Sequence, residues 1–372
     1  MSGEGYFLNH SIGLYPGKER DMQAATAEFA ALWSTPDDSQ WPRALAARAE
    51  FIALWEALID APEGTLTTSE SVTSGLYSVL GGLPPDRLAG KRVLVAADCF
   101  PSLHFLLAGL AERRGFTLDT VPLRAGETWV REEDMIARLG PDVALTLVTL
   151  VTSTAGYRAD LDRLLPRIRA AGSVIALDLT QGIGVVPFSV ADHAPDIVVS
   201  TSLKWLGGAP GAGIVHVAPD LMDECRPELR GWFSQPNPFS WDLDAFAYAP
   251  DARRFDAGTP APLAAIASAP GLKWQAGRGS AALLHHAQTL GAAILEGLPE
   301  LKPASPTDPA SRGGSVMLRL PEGADPSGVV SACREEGLFT DARGSILRLS
   351  PGATTTMDAV DRLCTTLRRT LS

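Results

Sequence analysis

Residues 173–217 read SVIALDLTQGIGVVPFSVADHAPDIVVSTSLKWLGGAPGAGIVHV and contain two short apolar runs that decide the fold. The run at 174–177 predicts a buried parallel strand that leads into Asp178, and the run at 197–199 predicts a second strand, followed closely by Lys204. Open α/β sheets place their ligands at the carboxyl ends of such strands. We therefore expect a carboxylate and an amine close to one another at one edge of a sheet.

This pair of side chains predicts a pyridoxal phosphate site. A lysine can form an imine with an aldehyde cofactor, and an aspartate beside a pyridine nitrogen keeps that ring protonated as an electron sink. Either residue alone has an ordinary explanation, since an aspartate after a strand often caps a helix and a lysine is usually a solvated surface charge. Here Gln181 follows Asp178 by three residues and a glycine-rich run at 207–213 follows Lys204, so the combination favours the cofactor site.

Further segments extend this pattern along nearly the whole chain. They are LNHSIGLYP (8–16), FPSLHF (100–105), SLKWLGGAPG (202–211), GWF (231–233), RFDAGTP (254–260) and ILRLSP (346–351). With these segments the chain resembles the class V aminotransferase group of the pyridoxal phosphate fold type I enzymes, and within that group it is similar to kynureninase. The resemblance implies an aspartate aminotransferase-like α/β fold, with a mainly parallel sheet of the seven-stranded type in a large domain and a smaller α+β C-terminal domain.

The order of the predicted elements agrees with that architecture. Apolar strands alternate with helical stripes in the first two thirds of the chain, whereas a long helix near 280–297 and strands near 315–320 and 346–350 follow. A chain of 372 residues is also long for one compact unit. We expect an N-terminal arm and helix at 1–42, a large cofactor-binding domain at 43–264 and a small domain at 265–372.

Composition and charge limit the expected partners. The formal net charge is −11 and the basic residues are scattered, so the chain lacks the basic surface that nucleic acid requires. The four cysteines have neither a close pair nor metal-ligand spacing, which suits a reducing compartment and gives no reason to expect a metal. Neither a signal-peptide pattern nor an apolar run of about 18 residues occurs. We expect a cytoplasmic enzyme with no membrane or nucleic-acid partner.

The resemblance also implies further contacts with the cofactor. Phe100 has the position of the ring that stacks on the pyridine, and Val72 and Thr73 match a phosphate contact at the start of a helix. Thr152 falls where relatives often carry an asparagine near the phenolic oxygen. The remaining implied contacts are Gln181 near Asp178, Thr201 and Ser202 before the lysine, and Trp232 and Thr259, which reach the phosphate of the neighbouring subunit. That last pair implies a homodimer with shared active sites.

Arg348 is the candidate for binding the substrate. A planar guanidinium can hold an α-carboxylate through two parallel hydrogen bonds, which selects α-amino acids and fixes their orientation. The position matches the carboxylate arginine of the family. Arg343 lies nearby in the sequence and is a second candidate.

The departures from kynureninase bear on the reaction. Leu203 replaces the tyrosine before the lysine, and Leu103 replaces the aspartate of the Phe-Pro-Ser-Asp segment. Gln181 replaces a histidine, and residues 258–261 replace Ser-Asn-Pro-Pro. Kynurenine hydrolysis needs an acid and an activated water, so the loss of these polar groups argues against kynurenine as the substrate. Residues 337–351 also lack the cysteine with which other relatives desulfurate cysteine.

We therefore predict a pyridoxal phosphate enzyme that acts on an L-α-amino acid. Lys204 would exchange the imine with the substrate and then, once freed, take the Cα proton as the general base. Kynureninase-like cleavage at Cβ or a carbon–sulfur β-lyase reaction is the favoured outcome, because the relatives most similar in motif act at Cβ. Transamination is the alternative. A non-catalytic cofactor-binding module is the third interpretation, against which the retained Lys204, Asp178 and Arg348 argue.

Overall fold

The computed structural model describes residues 3–372, so the first two residues of the predicted arm at 1–42 lie outside it. The strands of its larger sheet are β1 (Leu66–Ser69), β2 (Arg92–Ala96), β3 (Thr117–Val121), β4 (Val143–Thr149), β5 (Val174–Asp178), β6 (Ile197–Thr201) and β7 (Gly213–Val217). Their order is β1-β7-β6-β5-β4-β2-β3, and the neighbours from β6 to β3 are parallel. Strand β7 is antiparallel to both β1 and β6. The prediction of a mainly parallel sheet of seven strands is confirmed.

Helices cover both faces of this sheet and lead into a second, smaller one. The helices are α1 (Lys18–Trp33), α2 (Gln40–Ile59), α3 (Val72–Leu80), α4 (Pro85–Leu88), α5 (Pro101–Arg114), α6 (Glu132–Arg138), α7 (Leu161–Ala170), α8 (Val190–His193), α9 (Pro219–Glu224), α10 (Pro262–Arg278), α11 (Ser280–Gly297), α12 (Pro326–Glu335) and α13 (Met357–Leu371). The smaller sheet consists of β8 (Lys302–Pro303), β9 (Val316–Arg319), β10 (Asp341–Arg343) and β11 (Ile346–Leu349). These strands are antiparallel in the order β10-β11-β9-β8, and α11, α12 and α13 share a core with them.

Both faces of the central strands are buried, which explains their continuous apolar sequence. Ile175 and Leu177 of β5 belong to the core beneath α2 and α7. Val174 and Ala176 belong to the core on the opposite face, beneath α3 and α5. Because side chains alternate along a strand, residues 174–177 of β5 pack against a helix on one side or the other. The strand then ends at Asp178, so the first charged side chain of this segment lies at the edge of the sheet.

Helix α10 differs from the sequence-based expectation. Pro270 and a following glycine lie inside it, and an internal proline removes a backbone hydrogen bond, so the sequence pattern does not predict a helix here. The structure forms it because Ala265, Ala269 and Leu272 are buried in the core that α2 lines. Packing therefore outweighs the unfavourable local sequence. The predicted domain boundary between residues 264 and 265 falls within this helix.

His216 in β7 should make the protein sensitive to acid. The side chain is buried, and its Nδ1 lies 2.9 Å from Oγ1 of Thr65. Burial lowers the pKa of His216 to about 4, whereas the unfolded chain takes up a proton near the ordinary value of 6.5. The unfolded state therefore binds more protons between these values. We expect the free energy of unfolding to fall as the pH falls from 6.5 to 4, by on the order of 3 kcal/mol from this residue.

Urea denaturation at several pH values measures this effect. His216→Gln keeps a polar side chain of similar size but does not titrate, so its stability should fall less steeply over the same pH interval. Parallel pH dependences for the two proteins would contradict the assignment.

Candidate active site

One cavity lies where three parallel strands end. It has a volume of about 180 Å³ and is bounded by residues at or just after the ends of β4, β5 and β6, together with the first residue of α3 and the residue before α5. The lining residues are Val72, Phe100, Thr149, Val151, Ser153, Asp178, Thr180, Gln181, Thr201, Leu203 and Lys204. The position agrees with the general rule for ligand sites in open α/β sheets.

Lys204 projects into this cavity from the loop that follows β6. Its Nζ lies 5.1 Å from the ring centroid of Phe100. Burial lowers the pKa of the lysine, while the charge of Asp178 raises it and that of Arg348 lowers it further. A lowered pKa increases the fraction of neutral amine, which is the form that attacks an aldehyde.

Asp178 is buried at the end of β5 and contributes the opposite charge. Its Oδ1 accepts a hydrogen bond of 2.9 Å from the backbone N–H of Thr180. Burial raises the pKa of this carboxyl group, whereas the contact with Thr180 and the charge of Lys204 lower it. Within residues 3–372, Oδ2 receives no hydrogen bond from a side chain. It can therefore accept one from a protonated ring nitrogen.

The cavity contains other polar groups that lack partners. The Oγ1 atoms of Thr149 and Thr180 are buried and make no hydrogen bond within the described chain. An unpaired buried hydroxyl is costly, so these atoms fit a polar ligand. The backbone N–H groups of Val72 and Thr73 open α3, whose Ser71 cap bonds to the N–H of Ser74. An amine, a carboxylate, free hydroxyls and a helix start together suit pyridoxal phosphate.

The structure brings together about half of the residues predicted to form the site. Those lining the cavity are Val72, Phe100, Asp178, Gln181, Thr201 and Lys204. Thr73 follows Val72 in the first turn of α3. Ser202 faces the core, where its Oγ accepts a hydrogen bond from Trp55, and Thr152 lines a separate small cavity beside Tyr157. Their roles as cofactor contacts stay predictions.

Trp232 and Thr259 lie away from this cavity. Trp232 packs with other aromatic rings, Trp41 and Phe233 among them, and Thr259 borders a different surface pocket. Neither residue lines the cavity of its own chain. Leu103 also lies outside this cavity, because its side chain is fully buried in the core that α5 shares with the sheet. Of the two leucines that replace polar residues, only Leu203 lines the cavity.

The two candidate arginines differ in their surroundings. Arg348 of β11 is largely buried, and its Nη1 donates to the carbonyl oxygen of Ser153, a lining residue, at 3.4 Å. Its other contacts are with Asp341. The side chain of Arg343 is 70% exposed, donates to the backbone carbonyl of Ala342 and lies 3.7 Å from Asp341, but it does not line the cavity.

The N-terminal arm is the part of the site that sequence reasoning missed. The side chain of Gln181 donates to the carbonyl oxygen of His10 at 3.0 Å, and Gly13 N–H donates to the carbonyl oxygen of Leu203 at 3.0 Å. A Cβ atom on Gly13 would lie 1.7 Å from the carbonyl oxygen of Lys204, so only glycine allows this approach. The Gly in the LNHSIGLYP segment was the available signal for this contact.

Comparisons with known proteins agree with this geometry. The Aminotransferase class-V family model matches residues 53–360, and the chain therefore belongs to that family. It is 25% identical over 316 residues to YcbU of Bacillus subtilis, an uncharacterized aminotransferase, a match that covers 84% of this chain and 81% of that protein. It is 24% identical over 367 residues to the kynureninase of Salinispora tropica, a match that covers 93% of this chain and 85% of that protein.

A solved structure agrees in fold. The cysteine desulfurase from Thermococcus onnurineus superposes with a TM-score of 0.87 at 18% identity, covering 98% of this chain and 94% of that one. The fold is thus that of the pyridoxal phosphate fold type I enzymes, and pyridoxal 5′-phosphate is the cofactor.

Within residues 3–372, no group of three or more His, Cys, Asp or Glu is placed to hold a metal ion. No helix of the described chain is both long and apolar enough to cross a membrane.

The Gly13 contact gives a prediction about stability and cofactor binding. Gly13→Ala forces the arm or the Lys204 loop to move, since the new methyl group meets backbone rather than a flexible side chain. We expect a loss of about 2 kcal/mol in the free energy of unfolding and a lower occupancy by pyridoxal phosphate. Gly277→Ala is the matched control, because Gly277 lies in α10 with no atom within 4 Å of the new Cβ. Equal stability and occupancy in both variants would contradict the assignment.

Proposed function

We propose that this pyridoxal phosphate enzyme acts on an L-α-amino acid and cleaves a bond at its Cβ. Among such reactions, we favour a carbon–sulfur β-lyase reaction over a kynureninase-like cleavage. One observation supports this proposal most. Lys204 and Asp178 are the only acidic or basic side chains among the residues that line the cavity. If Asp178 holds the cofactor, one lysine is left to move protons.

The proposed roles follow from the positions of the side chains. Bound pyridoxal phosphate supplies an aldehyde for imine formation and a ring that withdraws electrons from the substrate's Cα. Lys204 holds the cofactor and then takes the proton from Cα, for which a lowered pKa is suited. Asp178 accepts a hydrogen bond from the ring nitrogen and keeps it protonated. Arg348 binds the α-carboxylate from the side of Ser153.

The lining favours a substrate whose leaving group departs without an added acid. Kynurenine hydrolysis needs an acid and an activated water, and no lining side chain other than Lys204 is placed to serve. Cysteine desulfuration through a protein thiol is also disfavoured, because the four cysteines are buried and none lines the described cavity. Burial raises the pKa of Cys333, the cysteine nearest in sequence to Arg348, to about 11. The loss of a thiolate from Cβ requires neither an added acid nor a protein thiol.

Transamination is the second candidate. Transamination also requires one group that takes up and returns protons near Cα, and Lys204 would serve it with the same set of side chains. The similarity to YcbU, an uncharacterized aminotransferase, supports this alternative.

We also propose a cytoplasmic homodimer in which Trp232 and Thr259 reach the phosphate of the neighbouring subunit. Support comes from an apolar surface beside Trp232, where the side chains of Trp241 and Leu243 are 83% and 94% exposed. A second copy of the chain would cover this surface. The cytoplasm is proposed because all four cysteines are free.

The first prediction of this proposal concerns the cofactor bond. Borohydride reduction should attach pyridoxal phosphate to the peptide that contains Lys204, as measured by mass spectrometry. Lys204→Ala should abolish this label, whereas Lys273→Ala should keep it, because Lys273 is exposed and pairs with Glu50 on the surface. A label elsewhere in Lys204→Ala would overturn the assignment.

Asp178→Asn should keep the label but slow the exchange of the substrate's Cα proton about 100-fold, since a buried charge pair is worth about 3 kcal/mol.

The second prediction concerns the reaction. An L-amino acid with a leaving group on Cβ, such as a cysteine S-conjugate, should release its thiol together with pyruvate and ammonia, without any keto-acid acceptor. L-kynurenine should react poorly. Thiol release, pyruvate and the cofactor spectrum are followed together, with Lys204→Ala as the control. Stoichiometric conversion to pyridoxamine phosphate that a keto acid reverses would instead establish transamination.

A further inference from the structure

The hairpin of β10 and β11 places an aspartate directly opposite the candidate substrate arginine. Asp341 and Arg348 are partners in the antiparallel register, and the two strands are joined by the two-residue loop Gly344-Ser345. Gly344 has a φ of +55°, which suits a tight hairpin loop. Directly opposite residues project from the same face, so the two side chains meet because of the register itself.

Asp341 occupies one edge of the guanidinium and leaves the other edge free. Its Oδ1 accepts from Nε of Arg348 at 2.9 Å, and its Oδ2 accepts from Nη2. A guanidinium has five N–H donors in one plane, so a carboxylate on the Nε edge leaves the Nη1 edge for a second acceptor. In this structure Nη1 points toward the cavity, where it contacts the carbonyl oxygen of Ser153 at 3.4 Å.

His10 also holds Asp341. Its Nε2 lies 3.1 Å from Oδ1 of Asp341, and its Nδ1 lies 2.7 Å from Oγ of Ser350. The ring is 2% exposed. The backbone carbonyl of the same residue accepts a hydrogen bond from the side chain of Gln181, which lines the cofactor cavity. Burial raises the pKa of Asp341, but the hydrogen bonds from His10 and Arg348 lower it by more. The pKa therefore lies well below its usual range, and the carboxylate is ionised.

We infer that Asp341, held by His10, is a positioning residue that fixes Arg348 so that its free edge receives the substrate's α-carboxylate. This inference rests on the proposed role of Arg348. The ion pair stays intact when the substrate binds, because the two carboxylates use different edges of the same guanidinium. The opposite arrangement is that Asp341 imitates the substrate and must leave Arg348 before the substrate enters. The bond from His10 and the strand register both oppose such a departure.

The two arrangements predict opposite signs for one measurement. The holoenzyme is mixed with aminooxyacetate, which carries a carboxylate, or with methoxyamine, which does not, and both react with the lysine-bound cofactor. The ratio of their second-order rate constants reports recognition of the carboxylate without any catalytic turnover. We expect Asp341→Asn to lower this ratio on the order of tenfold, with the methoxyamine rate unchanged, as expected for a lost charge-assisted hydrogen bond. Arg348→Ala should lower it at least as much.

Further variants separate positioning from general damage. Asp341→Glu keeps the charge and should recover part of the ratio, and His10→Phe, which removes one hydrogen bond to Asp341, should lower it less than Asp341→Asn does. Lys302→Ala is the control, because that side chain is exposed on β8 of the same sheet and should leave the ratio within about twofold of the wild type. A higher ratio in Asp341→Asn would mean that Asp341 competes with the substrate, and an unchanged ratio would mean that it does not act on Arg348. Either result overturns the inference. If the wild type reacts with neither probe, the proposed function itself fails.

Discussion

Two opposite charges, the carboxylate of Asp178 and the ammonium of Lys204, are buried at the same edge of the large sheet. Burial raises the pKa of Asp178 and lowers that of Lys204, so it favours the neutral form of each group. The charge of each group shifts the pKa of the other in the opposite direction. A buried ion is costly unless it is paired and hydrogen-bonded, and the backbone N–H of Thr180 is one of few groups that help here. A ligand with an electrophilic carbon for the amine and a protonated nitrogen for the carboxylate satisfies both groups at once. The pair is therefore better satisfied with such a ligand bound than without it.

The N-terminal arm ties this pair to the substrate side of the site. Leu8 bridges to Ser350 beyond β11, and five residues later Gly13 bonds to the carbonyl group that precedes Lys204. Phe7 is fully buried in the core of the smaller sheet. One short segment thus connects the loop that carries Lys204 to the sheet that carries Arg348. The arm is part of the active-site framework although it belongs to neither sheet.

The sequence predicts the cofactor half of the site better than the substrate half. Asp178 and Lys204 could be found because each follows an apolar strand, and parallel strand ends must meet. Asp341 was missed although a signal exists: the Gly344-Ser345 pair between two short strands fixes a two-residue hairpin and so places residue 341 opposite residue 348. Helix α10 could not be predicted from propensity, since its stability comes from packing against α1 and α2. The glycine at position 13 signals a close backbone approach, but its partner, the loop of Lys204, follows only from long-range geometry.

The reaction that we propose depends on what surrounds the substrate's Cβ. Here the cavity offers Val72, Val151 and Leu203 as apolar surface, and its neutral polar groups are the hydroxyl and amide side chains of the strand ends. None of these can donate a proton to a carbon leaving group at neutral pH. A thiol has a pKa of about 8.5, so a sulfur atom leaves as a thiolate with little assistance. This lining therefore argues against an acid-dependent cleavage of a ketone and favours the departure of sulfur. The proposed reaction depends on the character of the leaving group and not on a second catalytic residue.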